Sequence, residues 1–75
     1  MEIREVVAFN LRKFRRLKGL SQEELAHRAG IDRTYISSLE RSVYAASVDK
    51  LDKLAGVLGI ATYELLVPVN MEDQR

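Results

Sequence analysis

Cysteine and tryptophan are absent from this chain, and proline occurs once, at Pro68. Without cysteine there can be no disulfide and no thiolate metal site. The single histidine, His27, cannot assemble a metal site alone. Excess charge is equally scarce: twelve Lys or Arg stand against eleven Asp or Glu, a formal net charge of +1, so bulk charge argues only weakly for a polyanionic partner. No apolar run approaches the roughly 18 residues needed to span a bilayer, and the amino terminus lacks the continuous apolar segment of a secretion signal. These absences lead us to expect an intracellular, cytoplasmic chain with no membrane partner, no metal and no cofactor.

What is present is one small domain. Its 75 residues allow only a thin core, and association with a second copy would help its stability. The pattern is clearest over residues 21–41. Ser21 followed by Glu24 and then Leu25 and Ala26 is a capping box at a helix start. Leu25, Ala26 and Ala29 share one face, and Gly30 ends the helix because a residue without Cβ takes the left-handed conformation cheaply. Ile31 is placed to plug the angle before a second helix, which Asp32 caps and which runs to Glu40 or Arg41. Ile36 and Leu39 point inward with Tyr35 flanking them, which leaves Arg33, Thr34, Ser37 and Ser38 outward.

Around this pair the periodicity predicts three more helices. Ile3, Val7, Leu11, Phe14 and Leu17 form a buried stripe on a first helix over 2–18, closed by Gly19, with Leu20 packing back before the Ser21 cap. Val6 and Phe9 lie beside the stripe and either widen the core or meet a second copy. Arg12, Lys13, Arg15, Arg16 and Lys18 crowd the last two turns, where positive charge suits the helix dipole and also supplies an anion-attracting field. Ser47 caps a fourth helix reinforced by Asp49, with Val48, Leu51, Leu54, Ala55 and Leu58 buried as far as Gly59. A last short helix runs over 62–66 from a weak cap at Ala61, with Tyr63, Leu65, Leu66 and Val67 apolar. Pro68 stops it, leaving 69–75 as a polar tail after a domain over 1–68. The expectation is all-α, five helices and no strand.

Leu25, Ala26, Gly30, Ile36 and Leu39 at this spacing, Gln22 just inside its helix and the Leu39-Glu40-Arg41 ending resemble the helix-turn-helix of the lambda-repressor-like family. That family comprises the Cro/C1 or Xre type of bacterial and phage regulators, and the resemblance covers about 7–66. Asp32-Arg33-Thr34-Tyr35-Ile36-Ser37 is most similar to the controller proteins of restriction–modification systems. The resemblance implies a compact DNA-binding domain with its helix-turn-helix at helices 2 and 3. It also implies a homodimer on a pseudo-palindromic site of double-stranded DNA. With 75 residues given to the domain and its short tail, no small-molecule effector is expected.

Carried over position by position, the resemblance puts Arg33 and Thr34 at the main base-reading positions, Ser38 at the one a turn later and Ser37 nearby. Arg33 suits guanine O6 and N7, and the Thr34 methyl suits a thymine methyl. Gln22 matches the residue that holds a phosphate, with Ser21, Arg16, Lys18 and Arg41 as further phosphate candidates. Tyr35 is either a backbone-contacting hydroxyl or a half-buried packing ring. Relatives place Gly, then a basic residue or Asn, then Pro in the following loop, whereas this chain has Ser42, Val43, Tyr44, Ala45 and Ala46. There Tyr44 reaches a phosphate, faces a second copy or tucks its ring inward. Charge is distributed to match: +3 over 1–45 and −2 over 46–75.

Two other readings compete. A hydrolase could draw on Ser37, Ser38, His27 and Asp32, but they fall on separate short helices with no Gly-rich oxyanion loop. His27 reads as an ordinary surface residue. A protein-interaction module of the same fold, of antitoxin or co-activator type, is favoured by the nonbasic loop and opposed by the basic run and the Arg33-Thr34 face.

Overall fold

Four α-helices and a short 3-10 helix follow one another in a computed structural model that describes residues 2–68. α1 spans Ile3–Leu17, α2 Gln22–Ala29, α3 Arg33–Glu40 and α4 Val48–Leu58, and the 3-10 helix spans Thr62–Leu66. No strand occurs among the described residues, and none of their helices is long and apolar enough to cross a membrane. The expected tail at 69–75 lies outside the described residues.

Local chemistry sets the helix bounds. Glu24 N–H donates to Ser21 Oγ while Ser21 N–H donates to the Glu24 carboxylate, both at 3.0 Å. The Ser21 backbone N–H, and then its hydroxyl, hold the Glu24 carboxyl below the usual carboxylate pKa. Asp32 accepts from Thr34 N–H at 2.7 Å and Ser47 from Lys50 N–H at 3.1 Å, so α3 and α4 are capped as well.

All four α-helices end in the same reversed turn, in which Leu20, Ile31, Val43 and Ile60 N–H bind the carbonyls of Arg15, Ala26, Ser38 and Ala55 at 2.9 to 3.1 Å. The residue before each donor is left-handed. Three times it is glycine; after α3 it is Ser42, at φ 62, where a Cβ costs about 1–2 kcal/mol.

α1 packs on α3 and on the 3-10 helix, and α2 packs on α3 and α4. Leu11, Leu25, Ile36, Leu39, Leu54 and Leu65 are enclosed where these elements meet. The apolar faces differ from expectation at the element ends. Ile3 and Leu17 are 58% and 74% exposed, because α1 outruns the neighbours that cover its middle. Val6 is buried beside Val7, Ala8 and Leu11, so it widens the core, whereas Phe9 is half-buried. Val48 opens α4 in solvent, one turn ahead of the first buried residue, Leu51.

The expected fifth helix is a 3-10 turn. Ala61 has no side-chain oxygen to cap a helix, and only five residues, Thr62–Leu66, separate it from the extended Val67 before Pro68. Glu64 N–H therefore closes an i→i+3 bond to Ala61 at 3.0 Å. With three residues per turn only Leu65 faces inward, and Tyr63, Leu66 and Val67 are exposed. Asn10, buried on α1, ties this segment down by donating to the carbonyls of Leu65 at 3.0 Å and Val67 at 2.9 Å.

Candidate nucleic-acid interface

The Asp32 cap leaves Arg33 and Thr34 as the first two residues of α3, both exposed. Neither side chain makes a hydrogen bond or ion pair among the described residues. Ser37, a turn later, is half-buried. Ser38 corrects the expectation of an outward position, being only 5% exposed. The left-handed turn at Ser42 brings Val43 back so that its N–H binds the Ser38 carbonyl.

Beneath that front lies a polar network that residue spacing does not reveal. Glu40, 4% exposed, accepts from Arg15 Nε at 2.6 Å and Nη2 at 2.9 Å, a two-pronged pair between α1 and α3. Gln22 Nε2 on α2 donates to the same carboxylate at 3.0 Å. Arg12 donates to the Glu40 backbone carbonyl and Arg15 to that of Leu20. Hydrogen bonding to Glu40 raises the Arg15 pKa above its ordinary value, against the opposing effect of burial. One carboxylate thereby sets the mutual angle of α1, α2 and α3. It also corrects the reading of the basic run, since Arg12 and Arg15 serve the interior. In the sequence the only trace is the Glu40 position beside Leu39, because its partners lie 25 and 18 positions away.

The expected phosphate residues fall into different situations. Ser21 is exposed at the start of α2, its oxygen engaged in the cap. Gln22 commits one amide N–H to Glu40 and keeps a second. Arg41 is exposed, with its Nε folded back to the Ser37 carbonyl at 3.3 Å. Arg16 is exposed on α1. Lys18 extends to the end of α4, its Nζ 3.6 Å from where a Cβ on Gly59 would stand, a position that suits the carbonyl end of that helix.

On another side of α3, Tyr35 is half-buried, and its ring packs 6.0 Å from the Tyr44 ring. Lys50, from the first turn of α4, places Nζ 4.9 Å from the Tyr35 centroid. Tyr44 is 51% exposed, so its ring is not tucked inward. Spacing along the chain has no way to bring Lys50 to Tyr35, since one sits on α4 and the other on α3. His27 is exposed on α2, away from Ser37 and Ser38 on α3.

The helix-turn-helix family matches the chain over residues 11–65. A transcription factor of Neisseria meningitidis, described as hypothetical, is 48% identical over 67 residues, which are 89% of this chain. The match spans 63% of that relative's length, just under two thirds. The crystal structure of a hypothetical Neisseria transcription factor superimposes with a TM-score of 0.89 at 44% identity, covering 97% of this chain and 84% of that one. Control protein C.SmaI of Serratia marcescens is 36% identical over 75 residues, all of this chain and 89% of its own. SinR, the master regulator for biofilm formation, solved in complex with DNA, matches with a TM-score of 0.79 at 34% identity, over 81% of this chain and 98% of that one.

Proposed function

The chain belongs to the helix-turn-helix family, its relatives being transcription regulators and not enzymes, and from that premise we propose that it reads a two-fold-symmetric DNA site as a homodimer. The observation that carries this is the exposed Arg33-Thr34 pair, without a partner among the described residues, at the front of a helix whose rear is anchored through Glu40. A helix about 10–12 Å across fits the major groove, about 12 Å wide, and its amino-terminal side chains meet the base edges there. Arg33 and Thr34 are the base-reading residues, with Ser37 beside them. The second amide N–H of Gln22, the Ser21 hydroxyl, Arg16 and Arg41 hold phosphates, which fixes the register of α3. The solved SinR–DNA complex supports the partner class.

A single α3 covers too few base pairs to select one genomic site, which favours two copies. Exposed Val43, Val48, Leu66 and Val67 provide apolar surface for the second copy to cover. Selection of bound duplexes from a random pool tests the proposal. Recovered sites should show two inverted half-sites about one helical turn apart, and affinity for them should fall steeply with salt. A pool with no enrichment, or binding indifferent to salt, overturns it.

A further inference from the structure

We propose that residues 69–75 dock in cis as a strap over an apolar groove beside α1, and so compete with the second copy for Leu66. The competition rests on the homodimer reading above; the strap itself does not. The groove lies between α1, the 42–46 loop, α4 and the 3-10 helix, and Ile3, Val7, Tyr44, Leu51 and Leu66 line it. Arg4 is its one charged lining residue. Ile3, Tyr44 and Leu66 are exposed, so the groove is apolar surface with no cover among the described residues. Its free space of about 100 Å³ admits apolar side chains but not a helix about 10–12 Å across. An extended segment is the occupant that fits.

The path of the chain delivers such a segment. Asn10 holds the carbonyls of Leu65 and Val67, which pins the chain to α1 just before Pro68, with Leu66 already in the groove wall. Val67 is extended, as the residue before a proline prefers, and Pro68 fixes its own φ near −65°. Ile3 stands seven residues before Asn10 on α1, about 10 Å along the helix axis. Residues 69–75 span up to about 23–25 Å when extended, more than enough to reach it. So short a tether also holds the segment at a local concentration on the order of millimolar.

The segment also matches the groove in order. Val69 and Met71 flank Asn70, so in an extended strand both side chains face one way, and an unbranched Met fills irregular apolar space well. Glu72 and Asp73 follow. Away from Asn10 along α1, the groove offers Val7 first and then Ile3 and Arg4. Arg4 is exposed and has no ion pair among the described residues, whose one salt bridge joins Arg15 to Glu40. Apolar side chains therefore meet apolar wall, and two carboxylates arrive beside a guanidinium. Leu66 cannot be covered by the strap and by a second copy at once, so the strap lowers the fraction of chains ready to pair.

The test uses the full chain, which has no cysteine of its own, so engineered pairs report proximity without background. Ile3→Cys combined with Met71→Cys should oxidise to a species that migrates as a monomer. Glu23→Cys combined with Met71→Cys should not, because Glu23 is exposed on α2, which lines no part of the groove. A cross-linked dimer from the first pair, or equal oxidation of both pairs, overturns the strap. Val69→Ser combined with Met71→Ser should tighten self-association, measured by sedimentation, by about tenfold, as expected if each groove is covered roughly two-thirds of the time. Arg4→Glu should do the same, and Glu72→Arg with Asp73→Arg in that background should restore the wild-type value. Unchanged or weaker self-association in Val69→Ser with Met71→Ser overturns the competition while the homodimer reading stands. If the wild type and every variant stay monomeric at all concentrations, the homodimer reading and the competition both fall, and the monomeric cross-link alone decides the strap.

Discussion

The two ends of α3 treat polar side chains in opposite ways. At the front, Arg33 and Thr34 stand in solvent with no partner among the described residues, whereas at the rear Ser38 and Glu40 are buried and Glu40 is bonded to α1 and α2. The contrast shows how a helix of eight residues can present free hydrogen-bonding groups to another molecule without drifting. Its rear is fixed by charge-assisted bonds and its inner side by Ile36 and Leu39, so ordering on binding falls mainly on the front side chains. Gln22 belongs to both ends, one N–H committed to Glu40 and one free.

The strongest way to break the contrast is at the rear. Glu40→Ala strands the Arg15 guanidinium, whose side chain is only 11% exposed, and should cost about 3–5 kcal/mol of folding free energy, read as a lowered midpoint in urea denaturation. Removal of the front does the reverse. Arg33→Ala should leave the urea midpoint unchanged while costing about 1–3 kcal/mol of discrimination between a selected duplex and one altered at its guanine. A fall in stability in Arg33→Ala comparable to that in Glu40→Ala would erase the distinction between the ends.

A smaller effect lies just past the rear. Ser42→Gly relieves the left-handed strain, offset in part by the greater freedom glycine has when unfolded, and should raise stability by about 0.5 kcal/mol with binding unchanged. The smallest effect is acid-dependent. Because the Glu24 carboxyl has a folded pKa below its ordinary value of 4.5, its contribution is present above that unfolded value and is lost as the pH falls through the folded one. Glu24→Gln should therefore show a flatter decline of melting temperature below about pH 4.5. An unchanged acid limb would show that the charge of the Glu24 carboxylate adds nothing to the stability of α2.

Much of this is legible from neighbours in the chain. Ser21 with Glu24, Asp32 with Thr34, Ser47 with Lys50, and the glycines at 19, 30 and 59 act within a few residues, so the helix ends and the exposed Arg33-Thr34 front can be read directly. Periodicity also locates the apolar face of every helix. It does not say how far each face is covered, and so Ile3, Leu17 and Val48, which share the spacing of the interior residues, stand in solvent where their neighbours stop short of them. Ser38 departs from its expected outward position as well: its burial depends on how α3 packs in the fold, which spacing within α3 does not reveal.

The sequence by itself determined four helices, their caps and the polar front of the third, since those depend on interactions between residues at most about four apart. Tertiary structure alone decided that Glu40 would join Arg15 and Gln22, that Asn10 would hold the segment around Leu65, and that Lys50 would settle on Tyr35. Side chains distant along the chain become partners only when packing has fixed the angles between helices. Once buried, they must find one another, because a polar group left without a partner in the interior is too costly to keep.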